Sequence, residues 1–374
     1  MHLRILATTG LCLLGLAAQA RADGARYDWR LEDGAEYDSN PARAERIAGT
    51  VNPAAAPASP LARVVVAGNL AAPVGARQEL TLSGAFGGKW FTAPEARAEN
   101  VLVFQGAAGD AVRLGRQSQL VGSAAYFDVF QRRSTDLPDF RSVAPSLRLD
   151  EEIPRSILAS LGGGYRWFTF KPDDSYSFAA PTAFLALKYS RPGNLLERGA
   201  DWEWTAGGSV EERGFHGPAC RSTGCGDGSD VPRHRDRFWI GHVEVTRTGD
   251  WLLGLGAAGH INQSNSYGES LARGLFHLRT VFFLPWDLSL SARGELVLTH
   301  YADALTFQQP IAGLPGATIE DEGRSTLRVE MVRVFEGRFE VGARYVYYTS
   351  WPAAGPVDFR RQTLLFYFAF LDEH

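Results

Sequence analysis

The densest collection of chemically capable side chains lies in GHINQSNSYGES, residues 259–270. A histidine base within hydrogen-bond reach of a serine is the arrangement that activates a hydroxyl for acyl transfer. His260 and Ser264 stand four apart, so they share one face of a straight strand. Their Cβ atoms would then lie about 13 Å apart at ~3.3 Å per residue, too far for that hydrogen bond. The stretch therefore reads as a strand end running into a hydrophilic loop. The sequence holds no Gly-x-Ser-x-Gly elbow, no His-Glu-x-x-His helix and no phosphate-binding Gly-rich loop with its lysine. Glu212, Asp227, Asp230 and Asp236 cluster in sequence without the spacing of a calcium loop. No metal and no cofactor is expected, and the chain is not expected to be an enzyme.

Two cysteines, Cys220 and Cys225, lie in PACRSTGCGDG. They lack the further ligands of a zinc site and the Cys-x-x-Cys spacing of a redox pair. In an exported chain they are expected to form a local disulfide that stiffens a loop tip.

Charge is the other chemical resource, and its placement is periodic. In RYDWRLEDGAEYDSN, Tyr27, Trp29, Leu31, Asp33, Ala35 and Tyr37 alternate with Asp28, Arg30, Glu32, Gly34, Glu36 and Asp38. In WDLSLSARGELVLTH, Leu288, Leu290, Ala292, Gly294, Leu296 and Leu298 oppose Ser289, Ser291, Arg293, Glu295 and Thr299. Leu327, Val329 and Met331 oppose Thr326, Arg328 and Glu330. Phe339, Val341, Ala343 and Tyr345 oppose Glu340 and Arg344. Phe276, Leu278 and Phe282 oppose Arg273, His277 and Arg279, and Leu80, Leu82, Phe86 and Trp90 oppose Glu79, Thr81, Ser83 and Lys89. A period of two is the mark of strands with one apolar and one polar face.

The elements that carry these faces are strands throughout. The chain has 374 residues, a net charge of −4, 40 glycines, nine tryptophans and two methionines. So small a net charge gives no reason to expect a nucleic-acid partner. After the first twenty or so residues no apolar run is long enough for a transmembrane helix. The N-terminus itself reads as a secretory signal. Arg4 supplies its charge, Ile5 to Ala18 its apolar stretch, and Ala18-Gln19-Ala20 or Ala20-Arg21-Ala22 its cleavage pattern. Residues 1–22 are thus expected to be removed, leaving residues 23–374 as one domain that begins at Asp23.

Sixteen alternating segments follow, near 26–38, 61–72, 78–91, 99–108, 118–131, 140–150, 156–170, 177–190, 201–213, 235–247, 251–263, 273–284, 286–300, 324–334, 338–349 and 360–371. Each is long enough to cross a bilayer when tilted. The connections alternate too. Long ones such as HGPACRSTGCGDGSDVPRH and ADALTFQQPIAGLPGATIEDEG are followed or preceded by tight ones such as TGD, LPWD and FEGR. A β-sandwich gives no reason for that rhythm. A barrel with long outer loops and short periplasmic turns does. Trp202, Trp251 and Trp286 fall at the short-turn ends, and Trp90, Tyr301, Tyr347 and Trp351 near the long-loop ends, as two interfacial girdles would. The fold class is therefore all-β, a transmembrane antiparallel up-and-down barrel of about 16 strands, within a range of roughly 14–18.

With these features together, the chain resembles a Gram-negative outer-membrane β-barrel protein of the porin type. The last segment, RRQTLLFYFAFLDEH, places Leu364, Phe366, Phe368 and Phe370 on one face. It resembles the aromatic-rich terminal strand that barrel assembly machinery recognises, although Leu371-Asp372-Glu373-His374 follow where a terminal aromatic is usual. Tyr37-Asp38-Ser39-Asn40-Pro41 is weakly similar to first-strand ends of exopolysaccharide-export barrels. The resemblance implies location in the cell outer membrane, with lipid and the assembly machinery as partners. It also implies a water-filled channel for passive passage of hydrophilic solutes or a secreted polymer. An export barrel working with periplasmic components is the alternative, and an outer-membrane lipid hydrolase a more remote one. In a barrel the polar faces line the lumen. Asp28, Arg30, Glu32, Glu36, Glu79, Arg273, Arg279, Arg293, Glu295, Arg328, Glu330 and Arg344 are the expected lining. They form either a ladder of ion pairs along the wall or a basic stripe opposite acidic early strands.

Overall fold

The computed structural model describes residues 24–41, 46–47, 50–51, 57–131, 139–153, 156–191, 201–221, 231–302, 324–349, 357–358 and 360–373. The expected signal segment, Cys225, Trp351, Asp227 and Asp230 lie outside them.

Sixteen antiparallel strands close into one barrel. They are β1 (Arg26–Asp38), β2 (Ser59–Val74), β3 (Gln78–Phe91), β4 (Val101–Arg113), β5 (Ser118–Gln131), β6 (Phe140–Ile153), β7 (Ile157–Phe170) and β8 (Phe178–Arg191). The second half comprises β9 (Asp201–Pro218), β10 (Arg233–Thr248), β11 (Trp251–Ser264), β12 (Leu271–Leu284), β13 (Leu288–Tyr301), β14 (Ser325–Phe335), β15 (Phe339–Thr349) and β16 (Arg360–Glu373). Each strand pairs with the next, and β16 pairs with β1 to close the ring. Closure satisfies every strand edge, which hydrocarbon demands because it offers no hydrogen bonds to a free edge.

Sequence periodicity anticipated this architecture because lipid outside and water inside force a strict alternation. Three of the sixteen segments, 26–38, 78–91 and 118–131, have the observed bounds, and the others differ by a few residues at one or both ends. Connections at one end are short: 75–77, 114–117, 154–156, 249–250, 285–287 and 336–338, with 192–200 the longer exception. Two of these turns use two left-handed residues in succession. Trp286 and Asp287 have φ of 65° and 54°, and Glu336 and Gly337 have 52° and 69°. Two such residues in succession give the turn whose twist matches that of paired strands. Trp286 is 79% exposed at its turn tip, where an amphipathic ring meets the membrane–water boundary.

The outer face is apolar. Leu161, Leu185, Val243, Phe276, Phe366 and Val341 are all half-exposed or more. A soluble fold would hide these side chains, and a bilayer solvates them. The closed sheet with this apolar belt is an outer-membrane barrel. The C-terminal strand belongs to it to its end: Leu371, Asp372 and Glu373 pair with Arg30, Trp29 and Asp28. The Trp29 indole donates to Asp372 Oδ2 at 3.2 Å.

One residue breaks the belt. Asp33 is exposed on the outer face of β1, between Val64 of β2 and Phe368 of β16. It lies midway along the strand between Trp29 and Tyr37, well inside the belt that those aromatics bound. An acidic side chain near the bilayer midplane is unfavourable, less so than a basic one. Asp33→Leu is therefore expected to stabilise the barrel by about 1–2 kcal/mol. A higher urea midpoint for unfolding from phosphatidylcholine vesicles would show this. A lower one would mean that Asp33 makes a favourable contact in the membrane.

Candidate functional site

The register decides which polar side chains meet on the inner face. Along β1 the residues on the side opposite Trp29 and Leu31 are Asp28, Arg30, Glu32, Gly34, Glu36 and Asp38, and direct cross-strand partners share a side. Followed round the barrel, the pairing puts the twelve expected lining residues on one side of the sheet, opposite the apolar belt.

They fall into two groups of different character. The first is a network over the closure seam. Glu330 of β14 accepts from Arg344 of β15 at 2.7 Å and from Arg328 at 2.5 Å. Arg344 reaches on to Glu32 of β1 at 3.5 Å. Glu32 is also held by Arg30 at 3.1 Å and Arg63 at 3.3 Å, and Arg30 bridges to Glu340 at 3.0 Å. Arg63 and Lys89 then hold Glu36 at 3.5 and 2.7 Å. Nearest the outer end, Arg361 of β16 grips Asp38 of β1 with both oxygens engaged, the shortest distance being 2.6 Å. The Tyr367 hydroxyl donates to Glu330 Oε1 at 2.9 Å. Its ring lies over Gly342, where a Cβ would collide with it, and a Cβ at Gly34 would meet the Phe366 carbonyl oxygen. Because the barrel closes, the acidic first strand is the neighbour of the basic late strands and not their opposite. Arg328 and Arg344 accordingly join a ladder of alternating charge.

The second group is a row of arginines. Arg279 of β12 lies directly opposite Arg293 of β13, and Arg293 directly opposite Arg328 of β14. Arg328 is tied to Glu330, while among the described residues Arg293 has only Glu295, at 3.5 Å. Arg279 makes no ion pair among the described residues, and the Arg293 side chain is 59% exposed. Like charges placed directly across a pair of strands are unfavourable by up to about 1 kcal/mol. Arg273, nearer the outer end, donates to Thr299 at 3.1 Å, and Glu79 pairs with Arg26 at 3.2 Å. Eight strands away, the wall that faces the arginines is small and hydroxylated. Ala107, Gly109, Ser123, Ala125, Ala144 and Ser146 point inward on β4, β5 and β6. Ser123 and Ser146 hydrogen-bond to each other at 2.7 Å.

An aromatic arc rims the outer end of the inner face. Phe127, Phe140, Phe168, Phe178, Phe215 and His234 follow one another across β5 to β10, with successive ring centroids 5.4, 5.1, 4.9, 5.1 and 3.9 Å apart. The rings spend their faces on one another and stiffen the rim. Arg213 lies over Phe178 and Phe238. Sequence reasoning missed this arc because each phenylalanine sits on a different strand and only register aligns them.

The histidine–serine candidate is rearranged. Ser264 meets His234 of the neighbouring strand, not His260, whose ring packs edge-on against Phe238. His234 Nε2 lies 3.1 Å from Ser264 Oγ and 2.7 Å from Asp236 Oδ1. One nitrogen cannot both be held by the carboxylate and accept the serine proton, so the relay of a hydrolase is not formed. Asn262 donates to Asp236 Oδ2 at 3.1 Å and Ser266 N–H to Ser264 Oγ at 3.0 Å, which completes a buried clamp between β10 and β11. Glu212, on the outer face, pairs with Arg237. No group of His, Cys, Asp and Glu able to hold a metal occurs among the described residues. Cys220 is disulfide-bonded.

No protein-family model matches the sequence, and no curated protein matches it. Solved structures of similar shape include OccAB1 of Acinetobacter baumannii, with 8% identity and a TM-score of 0.48 over 93% of this chain and 96% of that one. OmpT of Vibrio cholerae has 13% identity and a TM-score of 0.45 over 94% and 99%. A bacterial polysaccharide outer membrane secretin has 9% identity and a TM-score of 0.42 over 91% and 97%. The barrel assignment rests on this chain's own closed strand pairing.

Proposed function

We propose that the protein is a water-filled channel for passive passage of hydrophilic solutes, with a preference for anions. The observation that carries this reading is the inward row Arg279–Arg293–Arg328. Charges side by side on adjacent strands weaken a sheet, and a chain under selection for stability alone would alternate them, as the closure seam does. A basic row facing a smooth wall of alanine, glycine and serine leaves its positive potential for whatever passes between them. The twelve lining residues supply the path, the reaction is passage without a covalent step, and no cofactor takes part. Insertion by barrel assembly machinery through the aromatic face of β16, and the Cys220–Cys225 disulfide, belong to the same reading.

The test is ion conductance of the purified, refolded mature chain in a planar bilayer under a salt gradient. Stable current steps with a reversal potential on the anion side are expected. Silence from a chain shown to be folded by its heat-dependent shift on electrophoresis would overturn the open channel. It would favour instead an export barrel for a polysaccharide that opens only with periplasmic partners.

A further inference from the structure

The outer face of β9 to β12 carries features that passage through the lumen does not use. Four glycines stand in one row across these strands, because Gly208 pairs with Gly241, Gly241 with Gly259, and Gly259 with Gly274. They point toward lipid, and a Cβ added at Gly241 or Gly259 would meet nothing within 4 Å. Gly241, Gly259 and Gly274 of this row floor a hollow of about 440 Å³, roofed by Trp239, Ile261 and Ala272. Directly below it on the same face lies a second hollow of about 990 Å³, whose outward side chains include Leu187, Trp204, Val243, Leu255, Phe276 and Leu296. Val243, Ala257 and Phe276 are two residues below the glycines on their own strands, so the two hollows follow on from each other.

Above this apolar trough the same face turns basic. Arg237, Arg235 and Arg233 of β10 are exposed and alternate with the inward His234 and Asp236. Arg237 stands about 7 Å and Arg235 about 13 Å above Trp239 along the strand. Trp239 belongs at the membrane–water boundary, so the arginines stand at headgroup height. Glu212 engages Arg237, while Arg233 and Arg235 have no ion pair among the described residues. Another outward cluster at the outer rim is already neutralised. There Asp128 holds Arg141 at 3.1 Å and Lys171 at 2.6 Å, and Asp139 holds Lys171 at 2.7 Å. Unspent positive charge is thus found at β10, above the trough.

We propose that this face is a binding site for a lipid with a phosphorylated headgroup and several acyl chains, seated from the outer leaflet. Arg233 and Arg235, the two arginines without an ion pair among the described residues, take the phosphate in charge-assisted hydrogen bonds, and the glycine-floored trough takes an acyl chain. An anionic headgroup and an apolar tail match the two halves of the site in the order in which they occur along the membrane normal.

The test uses the full mature chain, refolded in detergent, titrated with diphosphoryl lipid A and followed by native mass spectrometry. A saturable one-to-one adduct is expected. It should be about thirtyfold weaker with Arg233→Gln/Arg235→Gln, from two unpaired headgroup charges lost. It should be weakened likewise with dephosphorylated lipid A, and weakened by Gly259→Leu, which fills the trough floor. Inorganic phosphate should not displace the lipid. Equal binding of the dephosphorylated lipid, displacement by phosphate alone, or an adduct unchanged in the double variant would each overturn the site. The comparison of the two lipids on the native chain decides the matter even if a variant fails to fold.

Discussion

Arg279→Glu/Arg293→Glu is expected to convert an anion-preferring channel into a cation-preferring one, with a change of sign in the reversal potential. Each substitution moves the local charge by two units, so the pair moves it by about four. The Debye length is ~8 Å at physiological ionic strength, so the potential of wall charges extends well into the path of a permeating ion. The permeability ratio should shift on the order of tenfold at low salt. At 1 M salt, where screening acts within ~3 Å, the difference between variant and native chain should shrink. The substitutions set one new glutamate, at position 293, opposite Arg328 and the other, at position 279, opposite the first, so one repulsive pair of the row becomes attractive and one stays repulsive. An unchanged reversal potential in a folded, conducting variant would show that these arginines do not face the permeating ions, and the anion reading would fail with them. The same substitution made at Arg361, buried against Asp38, should not be used for comparison, because it tests the seam.

That seam carries the second large effect. Arg361→Met is expected to destabilise the barrel by about 3–5 kcal/mol, because it leaves the carboxylate of Asp38 buried without its cation. The Asp38 side chain is fully buried and that of Arg361 is 7% exposed. Among the described residues the one other donor to Asp38 is the backbone N–H of Asn40 at 2.9 Å. The pair joins the first strand to the last, so its loss acts where the barrel closes. Asp38→Asn/Arg361→Met should recover much of the loss, since removing both charges also removes the desolvation they require. Urea unfolding from lipid vesicles, read by tryptophan fluorescence and by the electrophoretic shift of the folded barrel, measures both. A single variant as stable as the native chain would show that closure rests on backbone pairing and the apolar belt alone.

Alternation was legible from the residues because it depends on nothing but the two solvents. Each strand crosses from one aqueous side to the other with oil on one face, whatever its neighbours are. Leu288 through Thr299 could therefore be sorted into faces, and Trp202, Trp251 and Trp286 assigned to the short-turn ends, without any pairing being known. The sixteen strands and their up-and-down order followed from counting these faces and the connections between them. Even the exception, Asp33 among aromatics, was visible in the first strand.

What alternation leaves open is registration between strands. A shift of two residues preserves every face and changes every neighbour. Arg279, Arg293 and Arg328 belong to three strands, and only the observed pairing sets them side by side. His234 was passed over for Ser264 because thirty residues of sequence separate them, and His260 was nearer in the chain. The aromatic arc and the glycine row are built in the same way, one residue from each strand. Closure added the last decision by making Asp38 the neighbour of Arg361 and Glu32 the neighbour of Arg344. The sequence by itself determined the barrel and sorted the residues of its strands into an apolar and a polar face. Register and closure, set by the summed hydrogen bonding and packing of the whole ring, decided which charges neutralise one another and which are left to act on a solute or a lipid.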